Sequence, residues 1–456
     1  MARGRRRPRG SHAERGTVRT HRDLGGLVAV GALSAVLFGA WVLVDVRAES
    51  AFDAPKRLVT LLGTVVAVGA LLVAPRQGSD AEWSWRRGTA EQRLALILVG
   101  GGVAIALASA LLSPRRMVSL DAMRTLFLYA LLLPLGASRG LGGHRSHILV
   151  VVFVGGGIVN AAVSLLQFSR TLRLFRVEAI GGRVDASAFV GNDGVLALSL
   201  ALGCLGCLAG ILFARSAAIR VASGAGIALH LGALAVNQNL TALTALAAGS
   251  LVLIALSVRR RTLIAMFSVV VVLAGVVILH PTLSRRAAGA LGSIRTGDWD
   301  AAVSYRLGPW AAALEMIRTR PLAGWGPGTF GAEFVAHRLR AELRFHRRFV
   351  NPFLAGSYTE AHSEYLQAAA ETGVVAALAG CTAFGVLIFG LLRELRGTPD
   401  GPIRREAIVA LAILCAGGVS ALTWFPLQRP ITAVPLLLAA GRAWRLSSRA
   451  PGAGTS

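Results

Sequence analysis

The stretch SYTEAHSEYLQAAAETG, Ser357–Gly373, gathers a histidine, a glutamine and three glutamates just before an apolar run. An imidazole near neutral pH can take a proton from a hydroxyl or orient it, which makes His362 the first candidate for chemistry. Upstream, Arg306, Arg318 and Arg320 flank a helical pattern. Fixed guanidinium groups can stabilise an anion that develops as a bond breaks. Between them LAGWGPGTF spaces Gly324, Gly326 and Gly328 so that backbone amides can approach an anion. The same spacing also serves an ordinary turn between two helices. GDWD offers a second chemistry: Asp298 and Asp300 can hold a divalent cation against a diphosphate, yet Asp300 also falls where a helix N-cap belongs. Asp45, Glu49 and Asp53, in an earlier loop, are further candidate bases.

Two helices are expected to position these groups. Leu307, Trp310, Leu314 and Ile317 recur on one helical face that Pro321 ends. Val335, Leu339 and Leu343, with Phe345 and Phe349 nearby, mark a second helix. Arg338, Arg340, Arg344, Arg347 and Arg348 surround it, a pattern that suits a membrane interface. His362–Glu371 is expected to extend the following span outward as one straight helix, with His362 about 15 Å beyond the hydrocarbon edge. At 100° per residue Glu364, Gln367 and Glu371 share a face that reads as solvated. His362, Tyr365, Leu366 and Ala369 share the opposite one.

The rest of the chain is a membrane scaffold. Of 456 residues, 54% are hydrophobic and only 16% charged. The apolar residues fall in blocks of about 18–22, the length that crosses ~30 Å of hydrocarbon. Twelve spans are expected, at 24–44, 57–74, 94–112, 119–137, 148–168, 188–213, 217–236, 240–257, 262–280, 372–392, 406–422 and 431–444. The fold class is therefore an all-α polytopic transmembrane bundle with one long helical loop. Its units are a basic tail (1–23), spans 1–9 (24–280), the loop (281–371), spans 10–12 (372–444) and a second tail (445–456). The formal charge of +25 is concentrated on the side of the N-terminal tail MARGRRRPRG. By the positive-inside rule that side is cytoplasmic and the long loop faces outward. The basic tail thus signals topology and meets anionic lipid rather than nucleic acid. Cys204, Cys207, Cys381 and Cys415 all fall within spans, where they read as packing residues without metal or disulfide roles.

Tyr305-Arg306, Trp310 and PLAGWGPGTF, followed by AHSEYLQAAAETG before a late span, resemble the O-antigen ligase and polymerase superfamily of bacterial envelope glycosyltransferases. GRVDASAFVGNDGVLALSL (Gly182–Leu200) and the closing FPLQRP are similar to further blocks of that family. The resemblance implies a GT-C-like enzyme in the bacterial inner membrane with its catalytic loop in the periplasm. It implies transfer of a glycan from undecaprenyl diphosphate to an acceptor hydroxyl, with inversion and with neither metal nor cofactor. The lipid A core is the expected acceptor. Polymerisation of lipid-linked repeats and glycosylation of protein are alternatives within the superfamily. Arg306 and His362 match the family's catalytic residues. Arg183, Asn192, Gly324, Gly326, Gly328, Arg318, Arg320 and Tyr365 are the expected substrate-binding residues.

The sequence departs from the family at two places. Ser363 stands where asparagine usually follows the histidine. Leu240 stands where an arginine is expected in NQNLTALTALAAG, so Arg176 or Arg183 would have to supply that charge. A transporter would instead carry charges buried in mid-span, and Arg124 is the clearest candidate for one. A scaffold for polysaccharide assembly would need neither Arg306 nor His362.

Overall fold

The computed structural model describes residues 11–48, 50–73, 88–174, 186–257, 275, 278, 281–349 and 358–447. The described residues form helices and no strands. The chain runs through α1 (Ser11–Val42), α2 (Ala54–Val73), α3 (Ala90–Leu112), α4 (Arg116–Ala130), α5 (Leu132–Ala137), α6 (His144–Phe168), α7 (Asp193–Phe213), α8 (Ala217–Asn237) and α9 (Leu240–Ser257). A second group follows: α10 (Pro281–Arg295), α11 (Trp299–Ala302), α12 (Leu307–Thr319), α13 (Phe330–Phe345) and α14 (Glu364–Thr372). It closes with α15 (Val374–Gly397), α16 (Pro402–Ser420) and α17 (Pro430–Leu446).

Nine helical segments among the described residues are long and apolar enough to cross a membrane, with α4 and α5 together forming one of them. They coincide with the first eight expected spans and the tenth. The span expected at 262–280 lies outside the described residues except at 275 and 278. Helices α16 and α17 occupy the last two expected positions and supply Leu411, Leu414, Val434 and Leu436 to the apolar core. Central to the bundle is α7, buried over 72% of its apolar window. Its neighbours approach through small residues, as they do at Gly203 beside His230.

The two ends of the bundle differ in what they carry. At one end Arg442 pairs with Glu406 at 2.8 Å, Arg393 pairs with Glu91, and Gln92 Nε2 donates to the Trp444 carbonyl at 2.7 Å. The opposite end collects the C-termini of α1, α6 and α8 and the N-termini of α2, α7, α9 and α17. Helices α12–α14 form a small unit there, with its own core of Ala312, Met316, Phe330, Phe334, Tyr358 and Ala370. On the side of α3 and α4, side-chain bonds fasten that unit to the bundle. Ser109 Oγ donates to the Glu371 carbonyl at 2.8 Å, Ser113 Oγ to the Trp325 carbonyl at 2.6 Å, and Arg115 pairs with Glu333 at 2.6 Å.

Three local expectations are corrected. The helix before the late span does not run straight through residue 362. It starts at Glu364 after Ser363, whose side chain accepts from Leu366 N, and it breaks at Gly373 with φ +88° before α15 begins. His362 lies outside it with φ +53°. Nor is the Gln367–Glu371 face solvated; both side chains are buried. In α12 the buried face is the small one, Gly308, Pro309, Ala312, Ala313 and Met316, while Leu314 is exposed. The row Val335, Leu339 and Leu343 of α13 points outward, where a surface-lying helix would present it, while Phe330, Phe334, His337 and Ala341 are buried.

Candidate active site at the loop end of the bundle

The turn before α12 presents Arg306 in a fixed way. Ser304 and Tyr305 both adopt left-handed backbone, with φ +57° and +59°, which surrounding bonds must hold in place. Tyr305 N donates to the Asp300 carbonyl at 2.7 Å, and Tyr358 Oη donates to the Tyr305 carbonyl at 3.0 Å. The Asp300 carboxylate accepts from Leu307 N at 3.3 Å, so it caps the first amide of α12. Asp298, rather than Asp300, caps the short α11 by accepting from Ala301 N at 3.2 Å. The two carboxylates of GDWD thus each serve a helix N-terminus. Among the described residues no three His, Cys, Asp or Glu side chains are grouped to hold a metal ion.

His362 is held from several directions. Trp310 Nε1 donates to its carbonyl at 3.4 Å, and its Nδ1 lies 3.1 Å from the Glu360 carbonyl. A carbonyl can only accept, so Nδ1 carries the proton and Nε2 of the neutral ring is the acceptor. Three aromatic rings surround the imidazole, all nearly perpendicular to it: Tyr358 at 5.3 Å, Trp424 at 5.3 Å and Phe425 at 5.4 Å. Burial in this apolar cage and, next, the neighbouring Arg306 cation together lower its pKa from 6.5 to about 4. The group expected to titrate near neutrality is therefore held as the free base.

Trp424 joins the two candidates. The Arg306 guanidinium lies 5.9 Å from its ring centroid, and the ring stacks on Phe425 at 4.5 Å and 19°. Arg429 lies 5.9 Å from the Phe425 centroid. The aromatic pair therefore has a guanidinium beside each ring and His362 edge-on to both. Helix α7 comes close enough to Trp424 that a Cβ on Gly194 would fall 2.1 Å from its ring. Arg429 also pairs with Glu360 at 2.8 Å and with Asp53 at 2.7 Å, which ties the α1–α2 and α16–α17 connections to the histidine segment. Glu364 Oε accepts from Leu427 N at 3.1 Å, and burial raises its pKa to about 7.

The other expected binding residues distribute unevenly. Asn192 caps α7 by accepting from Val195 N at 3.0 Å, at the same end of the bundle. Tyr365 Oη donates to the Gly418 carbonyl at 2.9 Å. Arg318 pairs with Glu315 at 2.8 Å and Arg320 lies 4.5 Å from the Trp325 ring, both at the far end of α12 from Arg306. The amides of the glycine turn already meet an anion, but an internal one. Gly328 N and Phe330 N donate to the Glu371 carboxylate at 2.9 and 3.0 Å, and Gly326 N donates to the Glu371 carbonyl at 2.7 Å. Gly324 N donates to the Arg320 carbonyl at 3.0 Å. Arg183 and Arg176 lie outside the described residues. Leu240 opens α9 beside Thr241, which bonds Thr423 at 3.1 Å next to Trp424. Arg286 reaches that turn, donating to the Gln238 carbonyl at 2.9 Å. Arg124 pairs with Asp121 at an exposed site.

Trp424, Phe425, Glu360 and Lys56 are absent from the residues expected from sequence. FPLQRP and the acidic Asp53 were the visible signals for the α16–α17 and α1–α2 connections. Which side chains those connections aim at His362 follows only from the packing of the bundle.

A polytopic helical membrane protein, with a helical extramembrane unit folded over one end, is the class that fold and site define. A family model described as O-antigen ligase matches residues 225–381, about a third of the chain, from within α8 to within α15. That stretch holds both Arg306 and His362, and the match supports the O-antigen ligase and polymerase superfamily and a glycosyltransferase type of activity. No curated protein matches the chain.

Proposed function

We propose that the protein is an inverting glycosyltransferase that moves a glycan from undecaprenyl diphosphate to an acceptor hydroxyl, with the lipid A core as acceptor. The observation that carries this reading is that Arg306 and His362, both within the stretch matched by the O-antigen ligase model, share a contact with Trp424 beyond it. The acceptor hydroxyl donates to His362 Nε2 and its oxygen attacks the anomeric carbon. The bond from that carbon to the diphosphate oxygen breaks, and its electron pair leaves with the diphosphate. Arg306 stabilises the charge that develops there. As the new bond forms, the attacking oxygen becomes an oxonium, acidic enough for a base of pKa near 4 to take its proton. Attack and departure on opposite sides of the carbon give inversion. The cations of the chain serve the leaving group, so the reaction is metal-free in this scheme.

The test is glycan transfer by Arg306→Ala and His362→Ala variants. Both are expected to lose transfer while remaining in the membrane, and activity is expected to survive EDTA. Wild-type glycan ladders from both variants would overturn the assignment, and loss in EDTA restored by Mn²⁺ would overturn the metal-free scheme. In a deletion strain, bare core with accumulated lipid-linked polymer marks a ligase, whereas capped single repeats mark a polymerase.

A further inference from the structure

A cavity of about 210 Å³ opens beside the site, lined among others by Phe52, Asp53, Lys56, Asn192, Arg429 and Ile431. It is built from the interior of the bundle outward. Asn160, Ser164 and Gln167, on one face of α6, bond the 186–189 segment: Ser164 Oγ donates to the Ala186 carbonyl at 2.7 Å, and Gln167 Oε1 accepts from Ala188 N at 2.8 Å. Asn160 Oδ1 accepts from Phe189 N at 3.2 Å. The segment so fixed turns the Phe189 carbonyl towards α2, where Lys56 Nζ donates to it at 2.7 Å.

Lys56 is only 2% exposed, and among the described residues it pairs with no carboxylate. An ammonium offers three donors, and the Phe189 carbonyl uses one. Its other close neighbour is the Phe52 ring, 5.9 Å away. Asp53, the one carboxylate among the described lining residues, is already taken by Arg57 at 2.9 Å and Arg429 at 2.7 Å. Among the described residues two cations thus line the cavity against one neutralised carboxylate. Arg429 adds a buried Nε that makes no hydrogen bond among the described residues. The N-terminal ends of α7 and α17 border the same space, which adds two positive helix ends to the two cations. A buried lysine without a counterion is costly unless an anion completes it.

We infer that this cavity is a second anion subsite, which takes a phosphate group of a membrane-borne substrate. It is separate from the place Arg306 holds at the other ring of the Trp424–Phe425 pair. The inference rests on the transfer reading above for its substrate, but not for its binding chemistry. Arg429 forms the wall between the cavity and Glu360, two residues from His362. An anion bound at Lys56 therefore fixes its carrier within reach of the reacting hydroxyl. The phosphate belongs either to the donor's diphosphate or to a phosphorylated acceptor.

The probe is inorganic pyrophosphate, titrated into the full-length protein in nanodiscs of zwitterionic lipid and followed by tryptophan fluorescence. The wild type is expected to bind it. Lys56→Met is expected to weaken binding about ten- to hundredfold, the loss of one charge-assisted hydrogen-bonding partner, and Lys56→Arg to restore much of it. Ser50→Trp, at an exposed position of the cavity wall, is expected to weaken binding similarly without touching a buried charge. Arg393→Ala, at the opposite end of the bundle, serves as the control. Displacement by a short-chain polyprenyl diphosphate assigns the phosphate to the donor; displacement by a hexose phosphate alone assigns it to the acceptor. Absence of binding by the wild type, or equal binding by the wild type, Lys56→Met and Ser50→Trp, overturns the subsite. The two ideas fail separately. Wild-type transfer by Arg306→Ala and His362→Ala removes the glycosyltransferase site and leaves pyrophosphate binding to be explained, whereas wild-type binding by Lys56→Met removes only the subsite.

Discussion

Arg306 and His362 approach the same indole: the guanidinium lies 5.9 Å from the Trp424 centroid and the imidazole 5.3 Å from it. The ring keeps a cation and a neutral base close together without an ion pair between them, and it comes from a connection some 60 residues beyond His362. Removing it should loosen both. Trp424→Ala is expected to lower transfer about ten- to hundredfold, since aromatic and cation–π contacts of this kind contribute roughly 0.5–2 kcal/mol each. Trp424→Phe keeps a face for Arg306 and an edge for His362, and should retain most of the rate. Equal rates for the alanine and phenylalanine variants would show that the ring does not position the pair.

The pH dependence follows from two shifts of opposite sign. His362 is held below its ordinary 6.5, at about 4, by burial and by Arg306. Its contribution to stability is present above about 6.5 and is lost as pH falls through 4. Glu364 is raised from 4.5 to about 7 by burial, so its contribution is present below about 4.5 and is lost as pH rises through 7. Transfer should therefore lose its His362-dependent component only near pH 4. Any inflection near pH 7 should vanish in Glu364→Gln. In Arg306→Ala the His362 pKa should rise, because a neighbouring cation is gone. Histidine NMR titration checks this, and a pKa unchanged from wild type would mean that the two groups do not interact.

How much of this arrangement was legible in the sequence depends on whether a feature is local. Apolar blocks marked the spans because crossing hydrocarbon demands them. His362 stood out because only nine histidines occur in the chain, whereas Arg306, one of many arginines, stood out only through the family motif around it. The helical register of His362 was misread, since nothing apolar interrupts the pattern between residues 362 and 371. Ser363 followed by Glu364 was the available signal: a cap residue and an acidic first turn, which start the helix after the histidine. The outward row of α13 was legible as the face of a surface-lying helix, but its buried face was not, because Leu and Val outweigh Ala341 in any hydropathy pattern. Lys56 gave no signal at all. A lysine at a span edge normally reaches water, and only the 186–189 segment, held by α6, covers this one.

The glycine turn should prove to be a stability element. Gly326 has φ +105°, and an added Cβ would fall 2.2 Å from Ser119 Oγ and 2.5 Å from Ser113 Oγ. Gly326→Ala is expected to destabilise the loop unit by about 1–3 kcal/mol. Glu371→Gln should cost about 1–3 kcal/mol, because the new amide nitrogen must face one of the two backbone N–H donors that the carboxylate now satisfies. Gly380→Ala, where a Cβ meets nothing within 4 Å, is the neutral control. Thermal unfolding in detergent reads all three, and a Gly326→Ala protein as stable as the control would contradict the packing described for the turn.

Arg429 connects Asp53 with Glu360, and its loss should separate function from folding less cleanly than loss of His362 does. In Arg429→Met, Glu360 and Asp53 keep their charge with one partner fewer, and Glu360 is the residue whose carbonyl holds His362 Nδ1. The expected result is lower thermal stability together with a raised His362 pKa, since an uncompensated carboxylate favours the imidazolium. Glu360→Gln in the same background removes that charge and should return the His362 pKa towards its wild-type value. Transfer in the double variant should exceed that of Arg429→Met alone if Arg429 acts by holding Glu360. If the double variant is no better than the single one, Arg429 instead acts directly on substrate, and the Lys56 cavity is where that contact should be sought.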